Sequence, residues 1–400
     1  MYKPRVSLKS ILQGQLTLIT NQINAYSNVP KNIRVNKCLV VSKLSRYEFE
    51  RNRQRHLNGK ELEAMLQKRG SDYEKMMHYH NLHKMFEGRF IDTLKDMGVE
   101  VRVVNRYTYT EDSIEWADVI FPTGGDGTFL LAASKIHDNK KPVIGFNSDP
   151  HRSEGHLCLP KHYSNYIREA IERLQNGQFD WLLRSRIRTT LVSHKGDQSV
   201  KNLHEHDDYE VQRQVAQSFM KKDGKVLPVL ALNEVFMGEY LSARVSHLEM
   251  TLNSATQTTN MKCSGLCVCT GTGSTSWNLS INRLPTQSVA ELLRLLDIDS
   301  KGETEGLAKH IADVYNRNLL FPADDRRLGY TIRDLISVGV WPQPKGIQPR
   351  GFASKLTIKS CCYDAGLVID GGLSFSFNDG TIAMLEVYPE DALRTVVFRD

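Results

Sequence analysis

A glycine-rich hexapeptide, Thr123-Gly124-Gly125-Asp126-Gly127-Thr128, lies between two segments of different character. Residues 117–122 before it form a short apolar run, as in a buried parallel strand. Residues 129–136 after it are rich in helix-forming residues. The pattern therefore predicts a strand that passes into a helix through a tight turn. We call residues 123–128 the glycine-rich turn.

The glycine-rich turn has the properties of a phosphate-binding loop. Its glycines can adopt positive φ and allow a ligand to approach the backbone, and the first N–H groups of the next helix lack partners within that helix. Asp126 adds a carboxylate that can orient a hydroxyl and accept its proton during phosphoryl transfer. An Asp at this position can also be only a helix cap, and the spacing leaves both interpretations open.

Four further motifs follow the glycine-rich turn in a fixed order. They are Asn147-Ser148-Asp149-Pro150, Ser153-Glu154-Gly155-His156-Leu157-Cys158-Leu159-Pro160, Leu232-Asn233-Glu234-Val235 and Thr270-Gly271-Thr272-Gly273-Ser274-Thr275-Ser276-Trp277. Together with the turn they resemble the NAD kinase family, from about Lys37 onward. The resemblance implies ATP-dependent phosphorylation of the adenosine-ribose 2′-hydroxyl of NAD, which gives NADP.

The resemblance also implies roles for individual residues. Asp126 matches the catalytic aspartate of the family, and Asn233 with Glu234 matches a pair that contacts the dinucleotide. Residues 272–275 match a nucleotide-binding segment that we call the hydroxyl-rich turn, and Asp370 matches an Asp-Gly of the C-terminal strand region. The candidate ligand-binding residues are Gly124, Gly125, Gly127, Thr128, Asn147, Asp149, Asn233, Glu234, Thr272, Gly273, Ser274, Thr275 and Asp370.

The chain departs from the wider family in two places. Members commonly carry Asp-Gly before the hydroxyl-rich turn and Pro within it, where this chain has Ser264-Gly265 and Gly271. The usual Asn-x-Gly-x-Leu-Gly-Phe-Leu segment is replaced by residues 147–160. The second departure favours the mitochondrial type, in which the enzyme supplies the mitochondrial NADP(H) pool.

The composition of the 400 residues is that of a globular protein. Apolar residues make up 40% and charged residues 24%, which excludes wholesale disorder, and the length predicts two domains. No apolar run approaches the roughly 18 residues that span a bilayer, so we predict no membrane contact. The net charge of +6 is not gathered into long basic tracts, which argues against nucleic-acid binding and suits anionic small ligands.

The N-terminal 47 residues contain no Asp or Glu but carry scattered Lys and Arg. This composition predicts a mitochondrial transit peptide over residues 1–34 and a location in the mitochondrial matrix, with a disordered basic tail as the alternative. The seven cysteines, an odd number that includes the adjacent Cys361 and Cys362, predict a reducing compartment and not a disulfide framework.

Alternating predicted strands and helices define an α/β domain over residues 35–178, with a parallel sheet and flanking helices. Residues 179–380 alternate in polarity and predict a β-rich nucleotide-binding domain. The resemblance implies that residues 381–400 return to the first domain. The predicted fold class is that of the NAD kinases and diacylglycerol kinases, with the ligands in the cleft between the domains.

Three groups of potential metal ligands occur in the chain, and we predict no metal site at any of them. Cys263, Cys267 and Cys269 fit an ordinary buried strand, the histidines at 78, 80 and 83 fit a solvated helix face, and residues 204–208 fit a solvated loop. Mg²⁺ is expected to arrive with ATP.

Two other classes of function remain open. A lipid kinase of the diacylglycerol or sphingosine type shares the glycine-rich turn, whereas Asn233, Glu234 and the hydroxyl-rich turn favour a dinucleotide. A catalytically weak NAD-binding regulator is the other alternative, against which the presence of Asp126 argues. The expected substrates are NAD and ATP, and the resemblance implies a homodimer.

Overall fold

The computed structural model describes residues 33–192, 200–203, 224–253, 255, 258–296, 304–336 and 348–398. The predicted transit peptide lies outside these residues except for its last two positions. Ile33 is one of those two, and it is buried in the core of the first domain. Residues 204–208, predicted to be a solvated loop, also lie outside them.

The first domain contains a four-stranded parallel sheet in the order β2-β1-β3-β4. Its carboxyl edge is well defined, because Ser42 of β1 lies beside Thr123 of β3, and Thr123 lies beside Phe146 of β4. The strands are β1 (Lys37–Ser42), β2 (Glu100–Val104), β3 (Val119–Gly124) and β4 (Phe146–Asn147), and the helices are α1 (Arg46–Arg53), α2 (Gly59–Lys68), α3 (Tyr73–Asp96), α4 (Glu111–Trp116), α5 (Asp126–Ser134) and α6 (Ile167–Gln175).

Both faces of the parallel sheet are covered, which explains the continuous apolar sequence of its central strands. Every residue of β3 is buried, and so are the last five residues of β1. One face packs against α3 through Phe86, Phe90 and Leu94, which recur every four residues along that helix. The other face packs against α5 through Phe129.

The second domain is a β-rich unit, and the two domains together confirm the predicted fold class. Two antiparallel sheets, with strand orders β11-β10-β15-β18-β6-β8 and β14-β13-β12-β9-β16-β17-β7, enclose one large apolar core. Their strands are β6 (Ile187–Val192), β7 (Val200–Asn202), β8 (Lys225–Val226), β9 (Glu234–Glu239), β10 (Ser246–Leu252), β11 (Thr259–Cys263), β12 (Gly265–Cys269), β13 (Leu328–Arg333), β14 (Arg350–Ala353), β15 (Lys355–Ser360), β16 (Ala365–Ile369), β17 (Leu373–Ser376) and β18 (Ile382–Val387).

Among the described residues of this β-rich region there are three helices, and the sequence pattern did not predict them. They are α7 (Trp277–Asn282), α8 (Thr286–Leu295) and α9 (Thr304–Arg317). The last two pack on each other around a small core of Val289, Leu293 and Ala308. Their apolar positions recur at helical spacing, which identifies amphipathic helices that pack outside the two sheets.

The end of the chain packs against the first domain. Strand β19 (Leu393–Val397) pairs antiparallel with β5 (Asp180–Arg184), and the N–H of Val143 donates to the carbonyl of Arg394 at 2.9 Å. Strand β18 still belongs to the six-stranded sheet, so the return begins later than the predicted residue 381.

Arg186 joins the two domains. Its fully buried guanidinium donates to the carbonyls of Ala133 at 3.4 Å and Asp138 at 3.3 Å, and also to those of Ile136 and Asp391. Burial lowers the pKa of Arg186 to about 10, which leaves it charged at neutral pH. A cation near the C-terminal end of α5 is favourable for the helix dipole. The helix that follows the glycine-rich turn is therefore held against the second domain.

Candidate active site

The glycine-rich turn connects β3 directly to α5. Gly125 is the only residue between the strand and the helix, and it caps α5 without a side-chain hydrogen bond. A Cβ at Gly124 would overlap the side chain of Thr128, and a Cβ at Gly125 would lie 2.8 Å from Ser153 Oγ. A Cβ at Gly127 would meet nothing within 4 Å. Packing thus requires glycine at 124, whereas a Cβ at 125 would displace only the Ser153 hydroxyl and the space at 127 is open.

Asp126 is the first residue of α5, and backbone donors hold its carboxylate. Its oxygens accept from the N–H groups of His156 at 3.2 Å and Leu157 at 2.9 Å. The N-terminal end of a helix favours a negative charge at this position. The carboxylate therefore has a defined orientation and is not the N-cap of the helix.

Asn147 and Asp149 shape the loop that follows β4. The Asn147 amide donates to the carbonyl of Ser153 at 3.1 Å and accepts from the N–H of Asp149 at 3.0 Å. The Asp149 carboxylate lies 3.8 Å from the guanidinium of Arg152. The structure thus uses the side chain of Asn147 within the loop that supplies the N–H groups to Asp126.

Asp370 organises the start of β9. It has a positive φ of 46°, and its carboxylate accepts from the N–H groups of Leu232 at 2.7 Å, Asn233 at 2.8 Å and Glu234 at 3.0 Å. These three bonds fix the backbone at Asn233 and Glu234, which we call the Asn-Glu pair. The structure therefore gives Asp370 a positioning role toward that pair.

The Asn-Glu pair itself presents unpaired polar atoms. Asn233 Oδ1 and Glu234 Oε2 are buried and have no hydrogen-bond partner among the described residues. An unpaired buried acceptor costs about 1–3 kcal/mol, so such atoms are rare unless a ligand or water supplies the donor. The two atoms mark a place where a ligand with hydrogen-bond donors fits.

The hydroxyl-rich turn packs directly against Asn233. The N–H of Thr270 donates to the carbonyl of Asn233 at 2.9 Å, and a Cβ at Gly273 would overlap that same carbonyl. Ser274 donates its hydroxyl to the carbonyl of Gly271 at 2.6 Å, and Thr275 donates its hydroxyl to the carbonyl of Thr272 at 3.1 Å. Their hydroxyl protons thus stabilise the turn.

Arg184 is a site residue that the sequence motifs did not reveal. It ends β5, and one of its terminal nitrogens donates to Thr272 Oγ1 at 3.3 Å, while its Nε is buried and has no partner in the described part of the chain. Burial lowers the pKa of Arg184 to about 10, and the nearby charge of Asp126 opposes that shift. In the sequence Arg184 is a single basic residue that follows Trp181-Leu182-Leu183, which does not distinguish it from a surface charge.

Apolar packing brings the motifs of the two domains together. Leu157, whose N–H bonds to Asp126, belongs to the same buried cluster as Leu232, which precedes Asn233. Leu157 also lines a cavity of 310 Å³, together with residues that include 154–161, Arg184 and 395–398. The glycine-rich turn, the Asn-Glu pair and the hydroxyl-rich turn thus adjoin one another at the domain interface.

Glu234 makes the stability of the protein pH-dependent. Burial, assisted by the charge of Asp370, raises the pKa of Glu234 from 4.5 to about 8. The folded state then binds a proton that the unfolded state has lost, so the unfolding free energy falls as the pH rises from 4.5 to 8. We expect Glu234→Gln to melt like the parent at pH 5 and to be more stable at pH 8.5, by about 2 kcal/mol after allowance for partial exposure.

Thermal melting at both pH values tests this expectation, with the exposed Glu169→Gln as the control. The control should follow the parent at each pH. A parent whose melting temperature changes with pH as that of Glu234→Gln does would contradict the raised pKa.

The cysteines and histidines considered as metal ligands lie in β11, β12 and α3. His83 is buried and not solvated, because α3 packs over the end of β1, and its ring contacts Ser42 Oγ at 3.1 Å. Cys263, Cys267 and Cys269 are buried and free. In the described ranges no three His, Cys, Asp or Glu side chains form a group that could hold a metal. None of the described helices is long and apolar enough to cross a membrane.

Comparison with known proteins finds relatives that share one name and match most of this chain. The chain is 40% identical over 380 residues to a protein of Rattus norvegicus named NAD kinase 2, mitochondrial, and the match covers 91% of this chain and 88% of that protein. It is 39% identical over 384 residues to the Homo sapiens protein of the same name, covering 93% and 86%. No protein-family model matches the chain.

Among solved structures, the chain is similar to an NAD kinase from Archaeoglobus fulgidus that was crystallised in complex with ATP. The TM-score is 0.50 at 16% identity, and the match covers 91% of this chain and 93% of that one. At this identity the likeness concerns the fold.

Proposed function

This chain belongs to the NAD kinase family and makes NADP from NAD and ATP, and we propose that Asp126 orients the acceptor hydroxyl and accepts its proton in that reaction. The predicted family and activity are thereby confirmed. The roles of individual residues are proposals that rest on the geometry described above.

Asp126 would orient the 2′-hydroxyl of the adenosine ribose toward the γ-phosphorus of ATP. The hydroxyl oxygen forms the new bond to phosphorus, the bond from phosphorus to the β,γ-bridging oxygen breaks, and the proton passes to the carboxylate. A carboxylate is a weak base toward an alcohol, so it accepts the proton late, and orientation is its larger contribution. The two backbone N–H groups that fix the carboxylate support this role.

The unpaired atoms Asn233 Oδ1 and Glu234 Oε2 are the observation that supports NAD binding best. Ribose hydroxyls and the adenine amino group can donate to Asn233 Oδ1, and the Glu234 carboxyl, whose pKa is raised to about 8, can both donate and accept. The hydroxyl-rich turn would contact the dinucleotide through its backbone and Thr272. Gly127 would leave room for the phosphates, Gly124, Gly125 and Thr128 would contact them through the backbone, and Mg²⁺ would enter with ATP and neutralise charge on them.

Product formation by the purified chain tests the function. With Mg-ATP and NAD we expect NADP, measured by reduction with an NADP-specific dehydrogenase. A folded chain that binds NAD but forms no NADP would be a regulator instead. Phosphorylation of diacylglycerol or sphingosine in place of NAD would assign it to the lipid kinases.

Arg184 is proposed to position the hydroxyl-rich turn relative to Asp126. Its bond to Thr272 and its closeness to Asp126 support this role. We expect Arg184→Met to lower kcat about 10- to 100-fold with a smaller change in KM. The variant loses the guanidinium that bonds to Thr272 and lies near Asp126. Arg184→Lys should recover part of kcat.

The control is Arg188→Met in β6, which removes an ion pair with Asp391 at 2.6 Å. It should lower the melting temperature and leave kcat unchanged. Equal losses of kcat in Arg184→Met and Arg188→Met would indicate that Arg184 is only structural.

The two relatives are mitochondrial proteins by name, which supports a mitochondrial location for this chain. We further propose the matrix, with residues 1–34 as the transit peptide, and a homodimer. A fluorescent protein carrying residues 1–34 should become protected from protease inside mitochondria. Light scattering should give a mass of two 45.5 kDa chains, and a mass of one chain would refute the dimer.

A further inference from the structure

Three polar side chains, Ser42, His83 and Glu87, join the middle of helix α3 to the last residue of β1. His83 Nε2 lies 3.1 Å from Ser42 Oγ and 3.4 Å from a carboxylate oxygen of Glu87, and the Ser42 hydroxyl donates to the same carboxylate oxygen. Ser42 and His83 are buried, with 4% and 2% of their surface exposed. We call these three residues the polar trio.

The hydrogen bonds of the polar trio are directional and are kept at neutral pH. Because Ser42 donates its proton to Glu87, its oxygen can accept from the Nε2–H of His83. Burial raises the pKa of Glu87, but the hydrogen bonds from His83 and Ser42 and the charge of Lys84 outweigh burial and lower this pKa to about 2. Glu87 is therefore a carboxylate at neutral pH and accepts from both partners.

Stability alone does not account for a polar trio at this place. Phe86 and Phe90 of the same helix pack on the sheet through apolar contacts. His83 Nδ1 is buried and has no partner among the described residues, and an unpaired buried polar atom costs about 1–3 kcal/mol. Apolar side chains of similar volume are often at least as stabilising as buried polar groups. What the directional bonds add is one fixed position for Ser42 relative to α3.

Ser42 is in turn bonded to the glycine-rich turn through the backbone. It lies beside Thr123 in the parallel pairing of β1 with β3, and the N–H of the next residue, Lys43, donates to the carbonyl of Thr123 at 3.0 Å. The Thr123 hydroxyl donates to the carbonyl of Val41 at 3.5 Å. Thr123 is the first residue of the glycine-rich turn, three positions before Asp126. The end of β1 therefore holds the segment that carries Asp126.

We propose that Ser42 and His83 are positioning residues, which act through the end of β1 to place the Asp126 carboxylate against the acceptor hydroxyl. The polar trio fixes the end of β1, and the end of β1 fixes the first residue of the glycine-rich turn. A displacement of about 1 Å at the reacting atoms can cost about 100-fold in rate, so a small relaxation of this chain of contacts lowers kcat. The assignment rests on the proposed function of Asp126.

Kinetics of Ser42→Ala and His83→Met test the proposal. We expect each to lower kcat about tenfold and to change KM for NAD and ATP less than twofold. His83→Gln should recover most of kcat, because its amide can donate to Ser42 and Glu87 in place of Nε2–H. The control is His78→Met, which replaces an exposed histidine of the same helix and should have the kcat of the parent. Ser42→Ala leaves the contact of His83 with Glu87 in place and serves if His83→Met does not fold.

The coupling to Asp126 separates positioning from a general structural effect. In the Asp126→Ala background no carboxylate remains to be displaced, so adding Ser42→Ala should lower the residual kcat less than twofold. A further tenfold loss in that background would overturn the proposal. So would a kcat within twofold of the parent in both Ser42→Ala and His83→Met.

Hydrogen exchange of the full chain measures the same contacts without turnover. A peptide that covers residues 119–130 should exchange several-fold faster in His83→Met than in the parent, and at the rate of the parent in His83→Gln and His78→Met. Unchanged exchange in His83→Met would contradict the proposal. Faster exchange in variants of a parent that forms no NADP would support the contact between the polar trio and the turn while the proposed function fails.

Discussion

Replacing Asp126 by Asn is expected to lower kcat for NADP formation by about three orders of magnitude, with little change in KM for either substrate. The amide cannot accept the proton of the ribose hydroxyl. Its NH₂ group would also face a backbone N–H that now donates a hydrogen bond to the carboxylate. One carboxylate oxygen accepts from His156 and the other from Leu157, so one of these N–H groups loses its partner. That loss costs about 1–3 kcal/mol, so stability must be measured beside activity.

The decisive measurement is kcat on protein shown by melting to be folded. Asp126→Ala serves as a second variant, because it removes the carboxylate without placing a donor against the backbone, and it should be similarly inactive. Asp112→Asn, an exposed carboxylate in the same domain, is the matched control and should have the activity of the parent. A folded Asp126→Asn enzyme with kcat within tenfold of the parent would show that another group accepts the proton.

Replacing Gly273 by Ala is expected to have the second largest effect, on both stability and NAD binding. The new methyl group would overlap the carbonyl of Asn233, which accepts from Thr270 at 2.9 Å. Two backbone segments would have to separate, and the side chain of Asn233 would move with its backbone. We expect a loss of about 3 kcal/mol in unfolding free energy and about a 100-fold rise in KM for NAD.

Denaturant unfolding and NAD titration measure these two effects. Gly88→Ala is the matched control, because a Cβ there meets nothing within 4 Å in the interior of α3. Alanine is favoured over glycine inside a helix by about 0.5–1 kcal/mol, so the control should be at least as stable as the parent. A Gly273→Ala protein with the stability and the KM of the parent would show that the turn can move away from Asn233.

Some boundaries were predicted closely because they depend on local pattern. The strand predicted from residues 117–122 is β3 at Val119–Gly124, and the helix predicted from residues 129–136 is α5 at Asp126–Ser134. The prediction of a solvated histidine face on α3 was wrong at His83, because that side chain is covered by the end of β1. Which face of a helix is covered depends on the neighbouring elements and not on the helix alone.

The sequence by itself determined the strand-turn-helix at residues 117–136, the parallel sheet, the β-rich second domain and the family, because each depends on contiguous motifs or short-range periodicity. Only the tertiary structure decided that Arg184 reaches Thr272 and that Asp370 holds the backbone of the Asn-Glu pair. These contacts join residues 88 to 137 positions apart, and nothing in the local sequence specifies such a distance. They form because burial of the apolar faces brings the ends of distant strands together.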